Sequence, residues 1–122
     1  MKTVLIIEDN PGIRENTCEL LELEGYQVIC AENGKSGLAL ALQNKPDIIL
    51  CDIMMPVLNG YEVLKGVRNN AITSGIPFVF LSASVEKKEV DAALNMGAQG
   101  YIRKPYEPEE LFTTIARLIN KK

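Results

Sequence analysis

A chain of 122 residues with 47% apolar and 24% charged side chains has the make-up of one globular domain. A net charge of −3, with Lys and Arg scattered and no basic block, argues against a protein built to neutralise nucleic-acid phosphates. The lack of any His removes the usual partner for a thiolate zinc site or a Cys/His catalytic pair, and Cys18, Cys30 and Cys51 show no metal-ligand spacing. The three are odd in number and far apart, and Cys30 and Cys51, inside apolar runs, are predicted to act as small hydrophobes, with a reducing cytoplasm the natural home.

In chain order, Lys2 precedes an apolar run of only Val4 to Ile7, too short for a signal peptide or membrane span and suited to a buried strand. Asn10-Pro11 then supplies a capping side chain and an N-terminal Pro for a first helix, which Gly25 closes. Val28 to Ala31 and Ile48 to Cys51 predict the next two strands. Helical spacing follows at Gly60, Val63, Leu64 and Val67, and Gly75 ends that segment before a fourth strand at Phe78 to Leu81. Val90, Ala93 and Leu94 are again helically spaced, with Gly97 closing and a weaker fifth strand at Tyr101 and Ile102. Pro108, Glu109 and Glu110 open a last helix that carries Leu111, Ile115, Leu118 and Ile119 and runs to Lys122.

Alternating strands and helices demand right-handed crossovers and a mostly parallel sheet covered on both faces. The expectation is a single α/β doubly wound domain over 1–122, with five helices and a flavodoxin-like sheet of strand order 2-1-3-4-5. No repeat, low-complexity tract or linker divides it.

Strands of a parallel sheet end at one edge, where such folds bind ligands. Glu8 and Asp9 follow the first run, Asp52 the third and Ser82 the fourth, while Lys104 lies two residues beyond the fifth. Carboxylates held close repel one another, and the usual relief is a raised pKa or a hard cation such as Mg²⁺. Mg²⁺ also accepts phosphate oxygens, so the pattern reads as a site for phosphoryl transfer, with Lys104 adding positive charge and Ser82 a hydroxyl donor.

Glu8-Asp9-Asn10, Asp52-Ile53-Met54-Met55-Pro56 with Asn59-Gly60, Ser82-Ala83 and Lys104-Pro105 together resemble the signature of response-regulator receivers, chemotaxis receivers among them, over essentially the whole chain. The resemblance implies that Asp52 is the phosphoacceptor and that Asp9, Asp52 and the Met54 carbonyl bind Mg²⁺, with Glu8 acting partly through water. It implies that Ser82 and Lys104 touch the phosphoryl oxygens, that Tyr101 turns inward as the Ser82 hydroxyl moves, and that the bond before Pro105 is cis. The protein would be a signalling receiver catalysing only its own phosphorylation and dephosphorylation, with a histidine kinase or histidine phosphotransfer protein as donor and an output partner of unknown kind. Ser82 stands for the commoner Thr and Tyr101 for Phe, and Met54 and Ser84 occupy positions at which fast and slow members differ.

Plainer roles exist for each residue alone. Glu8 and Asp9 suit a helix N-terminus, Pro56, Asn59 and Gly60 a turn and cap, Tyr101 core packing, and Lys104 a solvated surface. Ser82 suits a strand end, with Ser84 the better cap for the next helix, and the charges from Glu86 to Glu89 suit a solvated helix face. Three other functions compete. A haloacid-dehalogenase-type phosphatase expects a second Asp where Met54 stands, a flavin binder would meet repulsion from Glu8 and Asp9, and a pseudo-receiver would lack one of the acidic or Lys positions. Gln99, Gly100 and Thr114 replace the charged residues through which many transcriptional receivers pair, which predicts a monomer or a dimer through another face.

Overall fold

Each predicted apolar run is a strand in the computed structural model, which describes residues 1–83 and 86–119. The elements are β1 (Thr3–Ile7), α1 (Pro11–Leu23), β2 (Gln27–Ala31), α2 (Gly34–Asn44), β3 (Ile48–Asp52), α3 (Gly60–Arg68), β4 (Phe78–Ser82), α4 (Lys87–Asn95), β5 (Gly100–Arg103) and α5 (Pro108–Ile119). All strand pairs are parallel, in the expected order β2-β1-β3-β4-β5.

The continuous apolar strands have a simple cause: both faces of the sheet are covered, so alternation with polar residues has no place. Val4, Ile6, Ile48, Leu50, Val79, Leu81 and Ile102 pack under Leu21 of α1 and Leu111 and Ile115 of α5. Residues in the opposite phase, among them Leu5, Ile7, Ile49, Cys51, Phe78 and Phe80, pack under Ala41 of α2, Val63, Leu64 and Val67 of α3 and Ala93 of α4. No helical spacing announced α2, because its buried positions include Gly34, Gly37 and Ala41. Small side chains carry little apolar signal, yet they let the helix lie close, and a Cβ on Gly37 would come within 2.5 Å of Ile7 Cδ1.

The starts of α1, α2 and α3 follow Asn residues. Asn10 Oδ1 accepts from Ile13 N at 3.0 Å and Asn33 Oδ1 from Ser36 N at 2.8 Å, and Asn59 forms a reciprocal capping box with Glu62. Gly25 and Gly97 take positive φ just past α1 and α4, as closing residues should. The roles expected of Ser84 lie outside the described residues, as does the extension of α5 beyond Ile119; the N-cap position of α4 is Glu86. No described helix is long and apolar enough to cross a membrane.

Two expectations are corrected. β5 runs from Gly100 to Arg103, with Arg103 paired to Ser82, so Lys104 follows the strand directly. Cys30 is not a separate small hydrophobe but is joined to Cys18 by a disulfide between α1 and β2, leaving Cys51 as the buried free thiol. Their spacing of 12 residues misleads because α1 runs back along the sheet and β2 returns parallel to β1, which sets mid-helix beside mid-strand.

The loop after Asp52 is held tightly, since a Cβ on Gly60 would meet the Asp52 carbonyl oxygen at 2.5 Å and Ile53 Cα at 2.8 Å. Gly60→Ala is therefore expected to lower stability by about 1–3 kcal/mol, while Gly75→Ala, with open space around it, changes little. Urea unfolding followed by circular dichroism distinguishes the two, and equal midpoints would refute this account of the loop.

Candidate functional site at the carboxyl edge of the sheet

Because the strands are parallel and in register, their last residues meet. Glu8 follows β1, Asp52 ends β3, Ser82 ends β4 and Lys104 follows β5. Glu8 is only 1% exposed and is held on all sides. Its backbone N–H donates to Ala31 O at 3.1 Å, and its carbonyl oxygen accepts from Arg14 Nη1 at 2.9 Å. Its carboxylate accepts from Asn10 N at 3.2 Å and from Lys104 Nζ at 3.0 Å.

Lys104 Nζ also lies 3.2 Å from Asp52 Oδ2, so one ammonium bridges two buried carboxylates. Its own backbone N–H donates to Ser82 O at 2.7 Å, fixing the start of the segment that follows β5. The Lys104-Pro105 bond is cis. Asp9 completes the acidic group, in which Glu8, Asp9 and Asp52 each bring a carboxylate oxygen within 4.8 Å of the others.

The charges at this edge do not balance. Three carboxylates against one ammonium leave two negative charges in a largely buried site, a deficit that matches one divalent cation with oxygen preference. Asp52 registers the imbalance: burial first, then the charge of Glu8, push its carboxyl up to about 7 despite the opposing pull of Lys104. Burial alone would lower the Lys104 ammonium, but the hydrogen bond to Glu8 and the charges of Asp52 and Glu8 outweigh it and raise it.

Ser82, 3% exposed, lines a cleft of about 440 Å³ with Ile53, Met54, Tyr61, Ala83 and Glu89. Glu89 is thus not merely part of a solvated helix face, although Lys87 and Asp91 of the same helix pair in the open at 3.3 Å. Tyr101 is half-buried on β5, opposite Phe80 in register and packed on the α2, α3 and α4 side of the sheet. The Tyr61 ring stands 5.2 Å from that of Phe80, and its phenol is raised by burial and then by the charges of Tyr101 and Glu89. Met54 extends its side chain into solvent, and Val57 at the loop tip takes a positive φ of 70°, a strained choice for a β-branched residue. Pro56, Asn59 and Gly60 shape this loop as turn and cap.

Sequence reasoning overlooked Arg14, Tyr61, Thr17 and Tyr106. The hydroxyls of Thr17 and Tyr106 hydrogen bond to each other beside Lys104. A Thr in phase with Ile13 and Leu21 on the inward side of α1 was the available signal, since a buried hydroxyl requires a partner.

The family model described as the response regulator receiver domain matches residues 4–116. Among curated proteins, PilH of Pseudomonas aeruginosa is 38% identical, over 94% of this chain and 95% of that protein. The phosphate regulon regulator PhoB of the same organism is 35% identical over 98% of this chain, which spans only 52% of PhoB. Among solved structures, chemotaxis protein CheY4 of Vibrio cholerae superposes with a TM-score of 0.92 at 32% identity, covering 97% of this chain and 98% of that one. The receiver domain of the sensor histidine kinase PA1611 of Pseudomonas aeruginosa PAO1, which has a magnesium ion coordinated in its active-site cleft, gives a TM-score of 0.91 at 28% identity, covering 98% of each chain.

The position of the Asp52 carboxyl has a consequence for stability. Between its ordinary 3.8 and about 7 the folded chain binds a proton that the unfolded chain has lost, so this contribution to stability is complete below that window and disappears as pH rises through it. Asp52→Asn buries no charge. Without divalent cations its urea midpoint should exceed that of wild type at about pH 7.5, and the difference should close towards about pH 4. A difference independent of pH would contradict the assignment.

Proposed function

Because the chain belongs to the response regulator receiver domain family, we propose that it accepts a phosphoryl group on Asp52 from the phosphohistidine of a histidine kinase or histidine phosphotransfer protein, or from a small phosphodonor. The observation that carries this reading is the buried Asp52 carboxylate with Glu8 and Asp9 beside it and Lys104 Nζ 3.2 Å away. Family membership also disposes of the phosphatase and flavin-binding alternatives.

The acid cluster suits Mg²⁺, which Asp9, Asp52 and the Met54 carbonyl would hold directly and Glu8 partly through water. When bound, it supplies positive charge that lets a carboxylate approach a phosphoryl anion. An Asp52 carboxylate oxygen attacks phosphorus, the bond to the donor imidazole nitrogen breaks, and that nitrogen keeps the electron pair. Lys104 passes from the Asp52 carboxylate to the new phosphoryl oxygens, and the Ser82 hydroxyl donates to another. Ser82 lines the cleft that Tyr61 and Glu89 also wall, and Tyr101 lies on the same side of the sheet, so movement of Ser82 would be felt at the Tyr101 surface. The receiver thus acts as a switch that catalyses its own phosphorylation and dephosphorylation, with a docking partner as output.

Wild-type protein should gain one acid-labile phosphoryl group from acetyl phosphate only when Mg²⁺ is present, and Asp52→Asn should gain none. Intact mass reads both, and equal labelling of the mutant would remove Asp52 as the acceptor.

The protein should also stay monomeric when activated. Gln99 is exposed but tied to the chain, its Oε1 accepting from Phe78 N at 2.8 Å and Arg68 Nη2 at 2.9 Å, and buried Gly100 packs against Val79 and Thr114. This surface thus lacks the charged pairs that bring many receivers together. Sedimentation of the beryllofluoride complex at roughly tens of micromolar, a range in which micromolar pairing is visible, should show one species of monomer mass. A tight dimer broken by substitution at Lys87, Lys88 or Arg117 would overturn the expectation.

A further inference from the structure

Two hydroxyls, one buried and one half-buried, have no part in the acid cluster. Thr17 is 1% exposed on the inward side of α1, and its Oγ1 hydrogen bonds to the hydroxyl of Tyr106, 89 residues further along. Tyr106 stands two residues after Lys104, between β5 and α5, with its ring against the apolar layer beneath α1 and α5. Thr17, Tyr106, Lys104 and Pro105 line one cleft of about 650 Å³. Packing alone does not require a polar pair here. Val and Phe would fill nearly the same volume without desolvating the Thr17 hydroxyl, whereas a hydrogen bond at this half-buried seam admits one relative placement of its partners.

That placement bears on Lys104. Its backbone N–H is tied to β4 through Ser82 O, and two residues later the chain is tied to α1 through Tyr106. Helix α1 also holds the other end of the ion pair, because Arg14 donates to the Glu8 carbonyl oxygen at 2.9 Å. One helix therefore sets both the carboxylate and the segment that carries the ammonium towards it.

We propose that the Thr17–Tyr106 hydroxyl pair is a positioning clasp that fixes the segment after β5 against α1, so that Lys104 Nζ is delivered between Glu8 and Asp52. On the reading of Asp52 as acceptor, the clasp also delivers Lys104 to the phosphoryl group. The electrostatics agree with this proximity. Burial pushes the Tyr106 phenol up against the pull of its Thr17 hydrogen bond, and the charges of Glu8, Lys104 and Asp52 all act on it.

The test has two readouts. In the first, the rate of labelling by acetyl phosphate at saturating Mg²⁺ should fall about fivefold in Tyr106→Phe and equally in Thr17→Val, the loss expected from one misaligned hydrogen bond. The double variant should be no slower than either single one, Thr17→Ser should restore most of the rate, and Tyr106→Phe should add nothing to Lys104→Ala. In the second, the Lys104 ammonium resonance in ¹⁵N-lysine spectra, identified by its loss in Lys104→Ala, should be protected in wild type and exchange-broadened in Tyr106→Phe. This spectrum needs no phosphoryl transfer. A wild type that takes no phosphoryl group would therefore overturn the acceptor reading and leave the clasp to be judged on the resonance. Wild-type labelling rate and an unchanged ammonium resonance in Tyr106→Phe would overturn the clasp, as would a slowing that persists undiminished without Lys104. Tyr106→Phe keeps its ring in place, so it carries the test even if Thr17→Val unfolds.

Discussion

Burying a carboxylate is unfavourable unless a cation or several donors come with it, and this fold buries two carboxylates at the end of its sheet. The Lys104 ammonium, in contact with both Glu8 and Asp52, is what makes that arrangement tenable. It requires β5 to end level with β3 and β1, and α1 to anchor Glu8 from the other side. The balance is incomplete, because one ammonium cannot neutralise the cluster and the Asp52 carboxyl stays pushed up. The same shortfall that burdens the free protein is what suits the site to a divalent cation and a phosphoryl group under the proposed reading.

Strand alternation divides this edge into two sides. Glu8 and Lys104 continue the phase of Ile6 and Ile102, which face α1 and α5, and Asp52 continues that of Leu50. Ser82 continues the phase of Phe80 and shares the opposite side with Tyr101, beneath α3 and α4. The three charged groups, Glu8, Asp52 and Lys104, are held on one side, and the hydroxyl of Ser82 and the ring of Tyr101 on the other. Under the proposed reading, a change of charge at Asp52 would be sensed on the far side of the sheet through Ser82, without long-range motion of the frame.

The frame itself is shared by proteins of different extent. PilH is matched over nearly its whole length and PhoB over about half. Site chemistry of this kind is local to the strand ends, so it does not depend on what else a chain carries.

The strands, their order, and the placing of Glu8, Asp9, Asp52, Ser82 and Lys104 at one edge were legible in the sequence, because apolar runs of strand length separated by caps and glycines admit few parallel topologies. Helix α2 was faint, since its buried side consists of small residues whose value lies in close approach and not in hydrophobicity. What only the tertiary structure decided were pairings between distant residues. Lys104 finds Glu8 across 96 positions, Tyr106 finds Thr17 across 89, and Cys30 meets Cys18 because a crossover helix lies beside the strand that follows it. A one-dimensional pattern records which side of an element is apolar. It holds no record of which buried polar group another will meet, because that depends on how far each strand runs and how closely each helix is seated.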